Sequence, residues 1–173
     1  MHIRKIDTAN RRDVQRFIRF PFDLYRDSAL WVPPIAPDIR SVFARRKYPF
    51  YRHSDADFFL AERDGRVVGR IAALENRLYN ERHDTRTAFF YLYECEDDAE
   101  ASQALFNAAF DWARGRGMTD IKGPKGFLGS DGRGALVEGF DHRPAMGIPY
   151  NYPYYDALIT AAGFHKHEDL LSG

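Results

Sequence analysis

A strand, a helix and a second strand follow one another in the middle of the chain, and this run limits the possible folds more than any other segment. Thr87–Tyr93 is dense in aromatic residues, which favours a strand. Ala99–Arg116 carries apolar residues at helical spacing, and Thr119–Lys122 then has the character of a strand. A helix between two strands implies a crossover that leaves them near parallel. The run therefore predicts an α/β domain.

The segment before this run predicts an antiparallel hairpin. Asp57–Glu62 and Arg66–Leu74 have the composition of strands, and Arg63-Asp64-Gly65 separates them. Glycine reaches positive φ at no steric cost, so a tight turn is expected at Gly65.

The first residues predict a short strand and a helix. His2–Ile6 has strand character, and either Asp7 or Thr8 is suited to cap a helix that runs to about Phe20. Pro21 is expected to break or kink that helix, since proline lacks an N–H and clashes with the preceding turn, and Phe22, Leu24 and Tyr25 are candidates for a short second helix.

The last third is dominated by a loop over residues 123–150, rich in glycine and proline, with one short strand candidate at Ala135–Glu138. A loop of this length in a compact domain is usually functional or disordered. We expect a helix over Tyr154–Ala162 and a strand over Phe164–Leu171. The predicted order is β-α-α-β-β-β-α-β-loop-α-β, a mixed α/β sheet in which the final strand of the fold is missing.

Composition limits the class of protein. The 173 residues are 45% hydrophobic and 15% aromatic, which favours a single folded domain over 1–173 and argues against disorder. No apolar run reaches the length of a membrane span, and the first residues lack the apolar stretch of a secretory signal. Cys95 is the only cysteine and cannot form an internal disulfide. We therefore expect a cytoplasmic protein.

A net charge of zero conceals an uneven distribution. Residues 1–52 contain 12 Lys and Arg against 5 Asp and Glu, and the remainder is correspondingly acidic. The basic part is suited to an anionic partner, or the two parts neutralise each other within one fold. The sequence contains no recognised nucleic-acid-binding module.

Three segments resemble the GNAT superfamily of CoA-dependent N-acyltransferases. Glu62–Ile71 is similar to the second and third strands of that fold, Ala108–Lys122 to its central helix and fifth strand, and Tyr154–Phe164 to its last helix. Four further stretches, WVPP, ECEDD, LVEGFD and the Pro-Tyr-Asn before the last helix, resemble a bacterial group of longer GNAT-like proteins. The resemblance implies acyl transfer from acetyl-CoA or another acyl-CoA to a small-molecule amine. It also implies that this domain is the N-terminal part of a longer protein.

One segment departs from the superfamily pattern. GNAT enzymes place a glycine-containing Arg/Gln-x-x-Gly-x-Gly/Ala motif before the central helix, where backbone N–H groups bind the CoA pyrophosphate. Here Glu94–Glu100 has no glycine and five acidic side chains. Carboxylates repel a pyrophosphate, so we expect weak or absent CoA binding in the usual position.

The resemblance suggests three catalytic candidates. Glu94 corresponds to a carboxylate that acts as general base on the amine, and the alternative is that it belongs to a solvated acidic helix start. Tyr154 and Tyr155 lie on the last helix, where GNAT enzymes often place a tyrosine that protonates the CoA thiolate, although the usual position of that tyrosine falls near Ile159. The alternative is a packed aromatic cap.

The glycine-rich stretch Gly123–Gly134 is the candidate substitute for the anion site, because such loops can hold phosphate through backbone N–H groups. The alternative is a flexible loop. The candidate cofactor-binding residues within it are Lys125, Gly126, Gly129, Ser130 and Arg133. No metal site is predicted.

Two functions compete at this stage. One is an N-acyltransferase, and the other is a non-catalytic GNAT-like scaffold or binding domain. In the second case a homodimer or a second domain would complete the sheet, because an unpaired edge strand favours association.

Overall fold

The structure is a computed structural model that describes residues 1–145 and 147–171. Its strands are β1 (His2–Lys5), β2 (Asp55–Arg63), β3 (Arg66–Glu75), β4 (Thr87–Cys95) and β5 (Asp120–Lys122). Its α-helices are α1 (Arg11–Leu24), α2 (Ala36–Ser41), α3 (Arg77–His83), α4 (Ala99–Arg114) and α5 (Tyr154–Ala161), with a 3-10 helix at Pro49–Arg52.

The strands form one sheet in the order β1-β2-β3-β4-β5. The first four are antiparallel neighbours, and β5 lies parallel to β4 after the α4 crossover. The turn between β2 and β3 has positive φ at Asp64 (52°) and Gly65 (77°), so the predicted hairpin and crossover are both confirmed.

Two apolar layers cover the two faces of the sheet. On one face, α4 and α5 pack Leu105, Phe106 and Leu158 against Phe90 and Tyr93. On the other, α1 packs against Phe58 and Leu60 through residues that include Phe17 and Ile18, and the glycine-rich loop adds its buried Phe127. Side chains of adjacent strand residues point to opposite faces, so each strand supplies both layers.

Four expectations about local structure are wrong. The α1 helix is capped by Asn10, whose side chain accepts hydrogen bonds from two backbone N–H groups, and it continues through Pro21 to Leu24. Helix α3 was not expected; its cap is Asn76. Neither 135–138 nor 164–171 forms a strand, because neither segment pairs with the sheet. Within the described residues, the chain after α5 adds nothing to the sheet.

Strand β4 extends beyond its parallel neighbour β5, and the candidate site lies at this extension. β5 pairs only with Thr87, Ala88 and Phe89, so β4 continues beyond it to Cys95. Glu94 lies on the α1 side of this extension, and Tyr154 and Tyr155 reach it from α5.

Candidate active site

Glu94 lies near the end of β4, just beyond a β-bulge. Arg70 of β3 pairs with Glu94, and Ala72 pairs with Tyr91, so β4 holds one extra residue in between. Leu92 takes a φ of 49° at this point, a conformation that is uncommon outside glycine. Bulges bend a strand and re-aim its side chains. Here Glu94 lies on the α1 side, while its neighbours Tyr93 and Cys95 belong to the opposite layer.

Two tyrosines from distant parts of the chain meet at the Glu94 carboxylate. The Tyr25 hydroxyl donates to Glu94 Oε2 at 2.7 Å, and the Tyr155 hydroxyl donates to the same oxygen at 2.6 Å. The two phenol oxygens are 3.0 Å apart. The Cys95 backbone N–H donates to the Tyr155 oxygen at 3.1 Å, which fixes the phenol in place. The Glu94 side chain is only 15% exposed, so it is not part of a solvated helix start.

Arg70 approaches Glu94 from β3 and is held by an unusual feature of α1. Pro21 has no N–H to donate to the carbonyl of Phe17, four residues earlier. Arg70 Nη1 donates to this carbonyl at 3.0 Å and so replaces the missing helical hydrogen bond. Its Nη2 lies 3.8 Å from Glu94 Oε1, and its buried Nε has no partner among the described residues. The proline therefore anchors the cation beside Glu94.

Burial sets the protonation of this cluster. Desolvation raises the pKa of Glu94 above its ordinary value, although Arg70 and the two phenol hydrogen bonds oppose the shift. Burial and the nearby Glu94 charge raise the pKa values of Tyr25 and Tyr155, so both remain neutral donors. A raised pKa makes a carboxylate a stronger base, which suits it to accept a proton from a substrate.

The triangle of three oxygens can hold one more proton than it has when Glu94 is ionised. Its sides measure 2.7, 2.6 and 3.0 Å, and each can contain one hydrogen bond. Two phenol protons fill two sides. A proton taken up on Glu94 Oε2 points to one phenol oxygen, and that phenol then turns its own proton towards the other phenol. All three sides then hold a hydrogen bond, so the site can accept a proton without leaving any of the three oxygens unpaired.

Tyr154 and Tyr155 sit at the start of α5 and contact the end of β4 together. The Tyr154 hydroxyl donates to the Cys95 carbonyl at 2.9 Å, so it is a hydrogen-bonding residue as well as a packed one. An aromatic wall surrounds Tyr25. Tyr25 stacks on Trp31 at 5.1 Å and contacts Tyr152 at 4.9 Å between ring centres. This wall gives the site an apolar border.

The acidic segment before α4 is neutralised by arginines of the hairpin. Arg63 pairs with Asp98 at 2.5 Å and with Glu100 at 2.6 Å, and Arg66 pairs with Glu96. These pairs offset the repulsion that the sequence predicts.

The helix start is nevertheless occupied by the protein itself. The Asp98 side chain accepts the hydrogen bond of the Ala101 N–H, one of the groups that an anion at this helix terminus would use. The segment has no glycine to let a phosphate approach the backbone. These residues therefore do not fit a CoA pyrophosphate in the usual position.

The structure places the glycine-rich loop away from Glu94. The Lys125 ammonium lies over the rings of Tyr79 and Phe89, at 4.3 and 4.8 Å, near the opposite end of β4. Phe89 precedes Glu94 by five residues, about 16 Å along a strand. Burial, with repulsion from Arg133 and Lys122, lowers the pKa of Lys125.

The other loop candidates have structural surroundings. Lys125 forms an isolated bridge with Arg133. A Cβ at Gly126 would collide with the Asp131 side chain at 2.3 Å, so glycine is needed there for packing. Gly129 and Ser130 are exposed. The anion-binding role of this loop stays a prediction.

Sequence reasoning missed Tyr25 and Arg70. Tyr25 follows the proline that was expected to end its helix, and Arg70 lies in a strand among apolar residues. The β3–β4 register, which pairs Arg70 with Glu94, would have indicated Arg70, and no local signal indicates Tyr25. Burial raises the pKa of the Cys95 thiol to about 12, which disfavours a nucleophilic thiolate.

Residues 1–145 and 147–171 contain neither a metal centre nor a membrane-spanning helix. No cluster of three or more His, Cys, Asp or Glu side chains there is arranged to hold a metal ion. No helix within the same residues is long and apolar enough to cross a membrane.

This architecture is the GNAT fold, as solved structures similar to it show. One is a tandem GNAT protein from the clavulanic acid biosynthesis pathway, with a TM-score of 0.63 and 16% identity over 96% of this chain and 44% of that one. Another is an aminoglycoside acetyltransferase from an uncultured soil metagenomic sample, with a TM-score of 0.60 and 10% identity over 99% of this chain and 93% of that one. The predicted resemblance to GNAT proteins is confirmed at the level of the fold.

Two curated bacterial proteins are similar in sequence. Protein YghO of Escherichia coli is 36% identical over 94% of this chain. The bacterial ceramide synthase of Caulobacter vibrioides is 32% identical over 92% of it. The chain spans 42% of the length of each of these relatives. No known family profile matches the sequence.

Proposed function

We propose that this domain takes part in the transfer of an acyl group from an acyl-CoA to an amine, with Glu94 as the general base. The observation that carries the proposal is the buried Glu94 carboxylate, held by Tyr25 and Tyr155 with room for one more proton. An amine must lose a proton as its nitrogen forms the new amide bond with the acyl carbon. Glu94 would take that proton, and the bond from the acyl carbon to its sulfur leaving group would break.

Tyr155 is the better placed of the two candidate acids. Its hydroxyl is bonded to Glu94, which would resupply a proton donated to the leaving group. Tyr154 donates to the Cys95 carbonyl instead and would lose that bond on acting as an acid.

The acceptor that we propose is a long-chain amino alcohol or a similar lipid amine. A relative that is 32% identical is a bacterial ceramide synthase, and a ceramide is an amide of such an amine. The aromatic wall around Tyr25 and Trp31 offers an apolar surface to an alkyl chain.

The experiment is a thiol-release assay of the protein with acetyl-CoA and a long-chain acyl-CoA, against a panel of lipid amines, polyamines and aminoglycosides. We expect Glu94→Gln to lower the rate of acyl transfer by about 100-fold or more, the range of general base catalysis. Glu75→Gln is the matched control, because Glu75 is similarly buried (13% exposed) and also faces an arginine. Activity of the Glu94→Gln variant equal to wild type would refute the proposal.

A second candidate function is a non-catalytic GNAT unit that supports another one. It is favoured by the match to 44% of a tandem GNAT protein and by the self-capped start of α4. Under this alternative, the longer protein transfers acyl groups and its Glu94→Gln variant keeps that activity. The same assay therefore separates the two candidates.

A further inference from the structure

A groove between α1 and the β2–β3 hairpin brings four arginines together. Its volume is about 610 Å³. The arginines that line it are Arg16, Arg19, Arg26 and Arg66, and the acidic residues that line it are Asp23 and Glu96. Arg16 also pairs with Glu62 at 2.7 Å, so three carboxylates face the four arginines and the groove keeps an excess of one positive charge. Three of these arginines belong to the basic first third of the chain. None of them has a role in the acyl transfer proposed at Glu94.

The guanidinium groups in the groove are accessible and only partly neutralised. Arg19 and Arg26 share the single carboxylate of Asp23, at 3.0 and 2.8 Å, and their side chains are 62% and 66% exposed. Arg66 pairs with Glu96 and is 64% exposed. A guanidinium presents several N–H donors in a planar fork, and one carboxylate does not occupy the forks of two arginines.

The floor of the groove is apolar. Phe20, Leu24 and Val67 line the groove and are buried or half-buried, whereas Arg19, Arg26 and Arg66 are exposed. An anion that carries an organic group would satisfy both parts, since its charge meets the arginines and its carbon skeleton covers the floor. Phosphate esters match this pattern, because arginine binds phosphate oxygens through two parallel hydrogen bonds.

One end of the groove adjoins the Glu94 cluster. Leu24 lines the groove and is followed by Tyr25, and Glu96 lines it two residues after Glu94. The groove and the Glu94 side chain also lie on the same, α1-facing side of the sheet. The usual phosphate position at the start of α4 is filled by Asp98, so the arginine groove is the alternative place for a phosphate near this site.

We propose that the arginine groove binds a phosphate ester. Two sources share this chemistry, the 3′-phospho-ADP part of a CoA donor and the headgroup of an anionic phospholipid. Binding at the groove does not depend on acyl transfer, so it is measured without turnover.

The test is calorimetric titration of the protein with CoA, adenosine 3′,5′-bisphosphate and inorganic pyrophosphate, and co-sedimentation with phosphatidylcholine vesicles with and without phosphatidylglycerol. We expect saturable binding of the soluble phosphates or of the anionic vesicles, and which of them binds identifies the source. The double variant Arg19→Gln/Arg26→Gln should weaken binding about tenfold or more, and higher salt should weaken wild-type binding.

Arg114→Gln is the matched control. Arg114 is an exposed helical arginine paired with Asp111 three residues earlier, the same spacing as Arg26 and Asp23. It should change the affinity less than twofold. Thermal unfolding of all variants checks that the exposed substitutions leave the fold intact. The proposal is overturned if neither phosphates nor anionic vesicles bind, if the double variant binds like wild type, or if Arg114→Gln weakens binding equally.

Discussion

The sheet carries two buried carboxylates, Asp57 in β2 and Glu94 in β4, and their surroundings are opposite in kind. Asp57 faces the α4 side and is 6% exposed. Lys5 and Arg45 reach it at 2.6 and 2.7 Å, and the Trp112 indole donates to it at 2.8 Å. Glu94 faces the α1 side, with two phenols at hydrogen-bonding distance and its one cation, Arg70, at 3.8 Å.

The difference separates a structural carboxylate from one suited to proton transfer. Lys5, Arg45 and Trp112 contact Asp57 directly, so this side chain ties β2 to its neighbours in the fold. Neutral donors hold Glu94 in place without neutralising it, and burial raises its pKa. A buried carboxylate with many charge partners is therefore structural, while one surrounded by neutral donors is suited to proton transfer.

The largest expected effect is on stability, at Asp57. Asp57→Asn leaves Lys5, Arg45 and Arg116 facing a neutral side chain, and removal of one partner from a buried ion cluster costs about 3 kcal/mol or more. Urea unfolding measures this loss. Asp111→Asn is the control, because Asp111 is 77% exposed and should change the free energy of unfolding by less than about 0.5 kcal/mol. Equal changes in the free energy of unfolding for Asp57→Asn and Asp111→Asn would show that Asp57 is not a structural carboxylate, and its contrast with Glu94 would then be lost.

The second largest expected effect is a pH dependence of the free energy of unfolding that arises from Glu94. Because folding raises the pKa of Glu94, its contribution to stability is fully present below the unfolded pKa of about 4.3 and is lost as the pH rises through the folded pKa.

The free energy of unfolding of Glu94→Gln, relative to wild type, should therefore increase with pH. The gain is about 1.4 kcal/mol for each pH unit between the two pKa values. Denaturant unfolding at several pH values measures it. A flat difference would show that folding leaves the pKa of Glu94 unchanged.

The smallest effect tests how Arg70 is held. Arg70→Met leaves the Phe17 carbonyl without its donor, and Pro21→Ala supplies a backbone N–H for the same carbonyl. The double variant should be less destabilised than Arg70→Met alone, with a coupling of about 1 kcal/mol, the net value of a hydrogen bond. Additive changes in the free energy of unfolding would mean that Arg70 does not replace the hydrogen bond that Pro21 removes.

Local signals predicted the elements that depend on local physics. The Asp64-Gly65 turn and the apolar stripe of α4 are properties of neighbouring residues, and both are confirmed. Pro21 is the instructive failure. The hydrogen bond that it removes from the Phe17 carbonyl is replaced by Arg70 of β3, 53 residues after Phe17, and no local rule contains that contact.

Only part of the candidate site could be predicted, because the rest depends on contacts between distant parts of the chain. Glu94 and Tyr155 could be named from their resemblance to GNAT positions, and the structure brings them to 2.6 Å of each other. Tyr25, which completes the triangle, lies 69 residues before Glu94 and became a candidate only through the fold. The strand expected over Phe164–Leu171 failed because composition does not report whether a sheet edge is available.

The tyrosines at Cys95 also change how the open side of β4 behaves. Tyr155 accepts from the Cys95 N–H and Tyr154 donates to the Cys95 carbonyl, as the backbone of an adjoining strand would. The two tyrosine hydroxyls thus replace the backbone hydrogen bonds of a neighbouring strand at a position beyond the end of β5. The Cys95 amide should exchange its hydrogen with solvent deuterium as slowly as one inside the sheet, and an incoming strand must displace two phenols before it can extend the sheet there.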